Sequence, residues 1–253
     1  MKALRKEFWM EIRKSKSRFI SILLIVALGV AFFSGIQASS PDMRYSGDAY
    51  YDESSLMDIK VVGTMGLTSD DVSSIESIDG IESAEGAWST DVMCGEGQKQ
   101  KVLHIESIND TVNKLDVQEG RLPEKSGEIF LDSTFASVNE YKVGDKVALR
   151  EDGDSTLLVT AEYTVVGTGR SPLYISFNRV NGFGYVLPED FDQEIYTQIY
   201  VTVHGAKGLT SYTDGYENLI AKIKGRVENI ADDRCQIRLA AVKADAQEEI
   251  DDA

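Results

Sequence analysis

An 18-residue segment without a charged side chain is the sequence feature that most restricts how this chain can fold. Residues 19–36 read FISILLIVALGVAFFSGI and contain two serines and no charged residue. As an α-helix this segment would be about 27 Å long, close to the ~30 Å hydrocarbon thickness of a bilayer. We therefore predict a transmembrane helix over residues 19–38. Its representative apolar residues are Phe19, Leu23, Val26, Val30 and Phe33.

The two sides of this segment differ in charge. Residues 1–18 contain seven basic and two acidic side chains, a net charge of +5, whereas the whole chain carries −16, which leaves −21 for the remaining residues. By the positive-inside rule the basic flank lies in the cytoplasm, so the acidic bulk is expected outside it, on a protein of the cell membrane. Such an acidic bulk also argues against nucleic-acid binding, because phosphates would be repelled.

The basic flank has a helical pattern of its own. Leu4, Phe8 and Ile12 follow one another at steps of four, with Trp9 beside Phe8 and basic residues opposite. This spacing predicts an amphipathic helix over residues 1–18 that lies in the inner interface of the bilayer. A disordered basic leader is the alternative for this flank.

Two other interpretations of the apolar segment compete with an uncleaved anchor. One is a buried core helix, and the other is a secretory signal cleaved near Ile36-Gln37-Ala38. A signal peptide usually has a short, unpatterned basic region, whereas this one is long and patterned. We therefore favour the uncleaved anchor.

Residues 39–238 are predicted to form an α+β domain outside the cytoplasm. A strand over residues 57–62, a helix that starts with the capping signal at Thr68–Asp71, and a hairpin over residues 81–105 form a β-α-β unit with an added strand. Strand signals at 198–203 and 235–239 flank a helical pattern over 213–230. Two such units predict a split β-α-β, ferredoxin-like layer, with a β-rich insertion at about residues 116–192.

Patterns typical of catalysis, cofactor binding or metal binding were not found in the sequence. It has no G-x-x-x-x-G-K-[ST] loop and no G-x-S-x-G elbow, so ATP binding and hydrolysis are expected of another chain. His104 and His204 are isolated and are interpreted as hydrogen-bonded structural residues. Cys94 and Cys235 are either two unpaired side chains or, outside the cytoplasm, a disulfide. We predict that this chain is not an enzyme and holds no cofactor or metal.

A cluster of glycines, charged residues and a proline stands out in the middle of the chain. The segment EGRLPEKSGEIFL, residues 119–131, is followed by YKVGDKVAL, residues 141–149, and by YTVVGTG, residues 163–169. These segments resemble the signature of the extracytoplasmic core domain in FtsX-like, MacB-like ABC transporter permeases. The matching positions are Gly120, Arg121, Pro123, Gly127, Glu128, Gly144 and Asp145. The basic opening segment is similar to the interfacial helix and first span of large permeases of Gram-positive bacteria.

The resemblance implies a role in transport. In that family a separate ABC-type ATPase subunit drives the permease, the outer domain carries motion to a substrate or envelope partner, and a second permease copy or homologue completes the assembly in the bilayer. Family members have further spans after the outer domain, so we interpret this chain as the front part of a longer permease. Residues 239–253 are then the start of a C-terminal helix or coiled coil, with apolar positions at Leu239, Val242, Ala246, Ile250 and Ala253.

Two other functions stay open at this stage. A self-sufficient, single-span module for binding or regulation would need no further membrane spans, and a short C-terminal helix packed on its domain would complete it. An anchored or secreted enzyme is the third hypothesis.

Overall fold

The computed structural model describes residues 2–95, 100–151, 157–174 and 182–251. The chain divides into an N-terminal unit, Met1–Asp48, and a C-terminal unit, Ala49–Ala253. Each unit is described below by itself.

The N-terminal unit consists of helices. Helix α1 spans Lys2–Lys14, and helix α2 begins at Lys16 and ends at Glu53 in the C-terminal unit. No residue of α2 is buried, and the large apolar side chains of its charge-free segment are between 42% (Phe19) and 73% (Phe32) exposed. Within the described residues, α2 is the one helix long and apolar enough to cross a membrane, with a mean hydropathy of 2.6 over 18 residues. The alternative of a buried core helix is therefore not supported.

Three strands, with helix α3 (Ser69–Glu76) and the later helix α5 (Asp214–Asp251), form the first layer of the C-terminal unit. Strand β1 (Ile59–Leu67), helix α3 and strand β2 (Ile81–Ala87) follow one another, and β10 (Tyr196–Val203) lies between β1 and β2, antiparallel to both. The two strands β1 and β2 are therefore parallel, joined by α3. The start of α3 is capped as the sequence predicts, because Thr68 and Asp71 bond reciprocally through their side chains and backbone N–H groups.

Helix α5 covers one face of this three-stranded sheet and corrects one prediction. It spans Asp214–Asp251, so the strand expected over residues 235–239 does not form, and the ferredoxin-like layer lacks its fourth strand. The helical spacing of apolar side chains continues through Ile223, Val227 and Ile230, which pack into the core of the sheet. Arg234 and Arg238 then extend the same helical spacing and bond to Asp71 and to the carbonyl oxygen of Met65.

The remaining strands form a second sheet, in which six strands close into a barrel and one is added at the edge. They are β3 (Ser89–Cys94), β4 (Lys101–Ser107), β5 (Asp116–Gly120), β6 (Glu128–Asp132), β7 (Lys146–Arg150), β8 (Glu162–Arg170) and β9 (Phe183–Val186), with the short helix α4 (Ser133–Val138) after β6. Their order is β5-β8-β6-β9-β4-β3-β7, and β7 pairs back to β8, so β5 is the strand added at the edge through β8. The barrel interior is filled by apolar side chains such as Leu103, Ile105, Ile129, Leu131, Val147, Tyr163 and Val165.

The predicted hairpin of β3 and β4 belongs to this barrel and not to the first sheet. The chain changes sheets at Trp88, whose ring packs on Tyr196 (centroids 4.6 Å apart) and Phe191 (6.1 Å). This aromatic packing holds the corner between the two sheets. Within the hairpin connection, Glu96 and Gly97 lie outside the described residues.

Both cysteines are free, which removes the disulfide alternative. Cys94 is buried in the barrel, with its Sγ 3.5 Å from the Tyr141 hydroxyl, whereas Cys235 is exposed on α5. Burial raises the pKa of the Cys94 thiol.

Candidate functional site

The predicted membrane residues lie on the two N-terminal helices. Phe8 and Trp9 lie on α1 and are 62% and 65% exposed. Leu4 and Ile12 also lie in α1, but their side chains are outside the described part of the chain. The residues Phe19, Leu23, Val26, Val30 and Phe33 all lie on α2 and are exposed.

The family-motif residues meet at the centre of strand β8. The N–H of Arg121 donates to the carbonyl oxygen of Val166 (3.0 Å), and that of Gly144 donates to the carbonyl oxygen of Val165 (2.8 Å). The N–H of Thr164 donates to the carbonyl oxygen of Gly127 (2.8 Å). Three points of the motif, two in the β5–β6 loop and one in the loop before β7, are thus attached to three consecutive residues of one strand.

An ion pair closes the β5–β6 loop. The Arg121 guanidinium donates to both carboxylate oxygens of Glu128, at 2.7 and 2.6 Å, and the N–H of Glu124 donates to the same carboxylate at 3.0 Å. The Glu128 side chain is 6% exposed. The hydrogen bonds from Arg121 lower the pKa of Glu128 to about 2, against the effect of burial. Pro123 is buried inside the loop.

A buried aspartate that the sequence does not reveal holds the end of the same loop, the turn at Ser126 and Gly127. Oδ1 of Asp190, which is fully buried, accepts hydrogen bonds from the Ser126 hydroxyl and from the N–H of Gly127 (3.0 Å for the latter). Gly144 and Asp145 form a third turn, in which Asp145 Oδ2 accepts from the N–H of Lys142 at 2.8 Å. The motif residues thus build turns, and none of these contacts points to catalysis.

We predict that replacing Arg121 by Gln makes the C-terminal unit unfold at a higher pH during acid titration. A carboxylate whose folded pKa is lowered stabilises the fold above its ordinary pKa, and this contribution is lost as the pH falls through about 2. Without Arg121 the pKa of Glu128 rises, so the loss occurs at higher pH. The unfolding midpoint of the full chain in maltoside micelles is measured by Trp88 fluorescence in a Trp9→Phe background.

Lys146→Gln is the matched control, because it removes the ion pair between Lys146 and Glu162, whose side chains are 68% and 57% exposed. An exposed pair contributes little to stability. Equal midpoints for the two variants would contradict the role assigned to Arg121.

A second cluster of polar groups lies at the junction between barrel and three-stranded sheet. We call Glu106, His104, Tyr174, Gln198 and Tyr200 the Glu106 cluster. Glu106 is 1% exposed, and its Oε1 accepts hydrogen bonds from Tyr174 (2.7 Å), Tyr200 (3.0 Å) and the amide of Gln198 (3.3 Å). Its other oxygen, Oε2, is buried and has no hydrogen-bond partner among the described residues. Because Glu106 lies on β4 and Gln198 and Tyr200 lie on β10, this carboxylate joins the two sheets.

A histidine balances the buried negative charge. His104 Nε2 lies 3.5 Å from Glu106 Oε1, and Nδ1 lies 2.6 Å from Asp91 Oδ1. Burial alone would lower the pKa of His104, but the bonds to Glu106 and Asp91 raise it overall. For the Glu106 carboxyl the effects are opposite. Burial alone would raise its pKa, but the hydrogen bonds from His104, Tyr174 and Tyr200 lower the pKa overall. His104 is a hydrogen-bonded residue, as expected from the sequence, and His204 is exposed after β10.

The arrangement of the Glu106 cluster suits a structural joint better than a reaction centre. The carboxylate is closed off from solvent, and its accepting oxygen is occupied by donors from strand β10 and from Tyr174 in the segment after β8. Among the residues that the structure describes, no group of three His, Cys, Asp or Glu side chains is placed to hold a metal ion.

No family model and no curated protein matches this sequence. Among solved structures, the chain is similar to the extracellular domain of the noncanonical ABC-type transporter YknZ from Gram-positive bacteria, at 17% identity and a TM-score of 0.40, over 64% of this chain and 87% of that one. It is also similar to the periplasmic region of MacB from Actinobacillus actinomycetemcomitans, at 12% identity and a TM-score of 0.38, over 66% of this chain and 76% of that one. Each of these two structures is the part of its protein that lies outside the cytoplasm.

Proposed function

We propose that this chain is the N-terminal portion of an ABC transporter permease subunit, in which an anchored domain transmits ATPase-driven motion to a substrate or an envelope partner. The observation that carries the proposal is the combination in one chain of a basic helix, an exposed charge-free helix and a domain with the family motif. Residues 1–18, which contain α1, are the interfacial segment, and residues 19–38 of α2 are the span. The extracytoplasmic domain follows from residue 39, and residues 239–251 are the last part of helix α5, which begins at Asp214.

The bilayer and a separate ATPase are the partners that this function requires. The charge-free segment of α2 needs an apolar surrounding, because its side chains find no protein core. The sequence has no phosphate-binding loop, so a separate ABC-type ATPase hydrolyses ATP. A second permease copy or a homologue completes the assembly.

The Glu106 cluster supports the mechanical part of the proposal. A domain that transmits motion must move as one body, and a hydrogen-bonded carboxylate shared by two sheets resists their separation. The carboxylate comes from barrel strand β4, and its donors Gln198 and Tyr200 come from strand β10 of the three-stranded sheet. Motion that reaches the first sheet would therefore be passed on to the barrel.

The topology predicts how the two cysteines react. A membrane-impermeant maleimide added to intact cells that express the full chain is expected to label Cys235, which is exposed, and not Cys94, which is buried with a raised pKa. Cys235→Ser is the control and should abolish labelling. Labelling that requires permeabilised cells would show that the domain lies in the cytoplasm.

The coupling to ATP is tested with the same cysteine. An environment-sensitive fluorophore on Cys235, in inside-out vesicles from the native membranes, should change its emission when ATP is added, and vanadate should block the change. Stripping the peripheral ATPase from the vesicles should abolish the response. If ATP has no effect on correctly oriented, unstripped vesicles, the permease role is wrong and the self-sufficient anchored module is favoured.

A further inference from the structure

A cavity with tyrosine walls lies in the C-terminal unit, apart from the motif loops and the Glu106 cluster. We call it the tyrosine cavity, and its volume is about 420 Å³, which suits a small ligand. Its walls come from the segment before β1, the start of β2, residues 111–112, the end of β10 and the segment before α5. Its aromatic side chains are Tyr51, Tyr212 and Tyr216.

Tyr212 is held at this cavity in an unfavourable backbone conformation. Its φ is 63°, a left-handed value that bulky residues rarely adopt, and its side chain is 64% exposed. Its ring lies 6.5 Å from that of Tyr51 at an interplanar angle of 60°, and the two hydroxyls are 3.4 Å apart. An exposed ring gains little from packing, so burial does not offset the backbone strain. Strain of this kind concentrates at binding sites.

The charge of the cavity is negative. Among the described lining residues, Asp52, Asp58 and Glu82 carry carboxylates, and Lys207 carries the single amine. The Lys207 ammonium already donates to the Ser55 hydroxyl at 3.1 Å. Asp58 is fixed at the wall, since its oxygens accept hydrogen bonds from the Tyr216 hydroxyl and the N–H of Val203, both at 2.7 Å. Carboxylates set among aromatic rings favour a cation over a neutral or anionic ligand.

We propose that the tyrosine cavity binds an organic ammonium ion, with the cation against the rings of Tyr51 and Tyr212 and near the carboxylates. Aromatic faces attract alkylammonium groups through their quadrupoles, and two rings at a steep angle cover two sides of such a group. The carboxylates add attraction that a neutral molecule of the same shape cannot use. This site needs neither ATP nor a partner subunit, so it can be tested independently of the permease role.

The test compares choline with 3,3-dimethyl-1-butanol, which has the same shape but a carbon in place of the charged nitrogen. Calorimetric titration of the full chain in maltoside micelles should show choline binding at least about tenfold more tightly than the neutral analogue. Equal affinities for the two compounds, or no binding of choline up to about 10 mM, would overturn the proposal.

Variants at Tyr212 separate binding from folding. Tyr212→Gly removes the ring but suits the left-handed backbone, so the protein should fold while its choline affinity falls about tenfold. Tyr212→Phe keeps the ring and should retain affinity within about threefold of the parent. Tyr45→Ala, at an exposed tyrosine outside the cavity, is the control. Unchanged choline affinity in folded Tyr212→Gly would refute the site.

A further arm identifies the source of the ammonium group, which can be a free amine or a lipid headgroup. The choline titration is repeated in nanodiscs of phosphatidylcholine and of phosphatidylglycerol. Weaker apparent choline binding in the phosphatidylcholine discs supports the proposal with a headgroup as ligand, because the lipid then competes. Equal affinities in both discs support it with a free ammonium compound as ligand.

Discussion

Gly120→Ala is expected to lower the free energy of unfolding of the C-terminal unit by about 3–4 kcal/mol. Gly120 ends strand β5 with a φ of 75°, a left-handed conformation that alone costs an alanine about 1 kcal/mol. A Cβ at this position would also collide with the carbonyl oxygen of Val166, and it would lie 2.8 Å from the Cα of Gly167. Both atoms belong to the backbone of β8, so no side-chain rotation relieves the contact.

Gly127→Ala is the matched control from the same motif. Gly127 has a similar φ of 81°, but a Cβ there would meet no atom within 4 Å. Its cost should therefore be the conformational one alone, about 1 kcal/mol. Urea denaturation of the full chain in maltoside micelles, followed by Trp88 fluorescence in the Trp9→Phe background, measures both. If the two variants lose equal amounts of unfolding free energy, the close approach of β5 to β8 does not contribute to the cost of Gly120→Ala.

The sequence predicts those parts of the fold that depend on neighbouring residues. The helix of residues 19–36 follows from composition, the start of α3 follows from the Thr68–Asp71 cap, and the turns at Gly127 and Gly144 follow from glycine. Each of these features is decided within a few residues. Its signal is therefore visible in one sequence.

Features that depend on distant residues were missed. Asp190 holds Gly127 from 63 positions away, and Tyr200 reaches Glu106 across 94 positions. Nothing near Asp190 in the sequence marks it as the partner of a distant turn. For the same reason the predicted sheet of the β3–β4 hairpin is wrong, because a hairpin signal fixes the pairing of two strands but not the sheet that they join. Residues 235–239 belong to helix α5 and not to the predicted strand, because five residues are too few to separate a strand from a helix by pattern.

The second large loss of stability is expected from substitution of Glu106, the buried carboxylate between the two sheets. Glu106→Ala should lower the free energy of unfolding by about 3–5 kcal/mol, because it leaves buried donors and a histidine without their shared acceptor. The donors that lose their partner are the hydroxyls of Tyr174 and Tyr200 and the amide of Gln198. Glu106→Gln keeps the volume and one acceptor oxygen, so its cost should be smaller, about 1–3 kcal/mol. Urea denaturation of the full chain in micelles, as for Gly120→Ala, gives both values.

Asp91→Asn is the control for this joint. It changes the other partner of His104, but the Asp91 side chain is 67% exposed, so the expected loss is below about 1 kcal/mol. An effect of Asp91→Asn as large as that of Glu106→Ala would place the important contact at the surface. The buried carboxylate would then not be the joint between the sheets.

The pH dependence of the stability difference between the parent and Glu106→Ala distinguishes an electrostatic contribution of Glu106 from a simple loss of packing. The lowered pKa of Glu106 stabilises the fold above its ordinary value of about 4.5, and this contribution is lost as the pH falls through the folded value. The raised pKa of His104 stabilises the fold below its ordinary value of about 6.5, and this contribution is lost as the pH rises through the folded value. The stability difference between parent and Glu106→Ala should therefore be largest between pH 4.5 and 6.5 and should shrink on both sides. A difference that stays constant from pH 4 to pH 9 would reduce Glu106 to a packing residue, because a lost side-chain volume does not titrate.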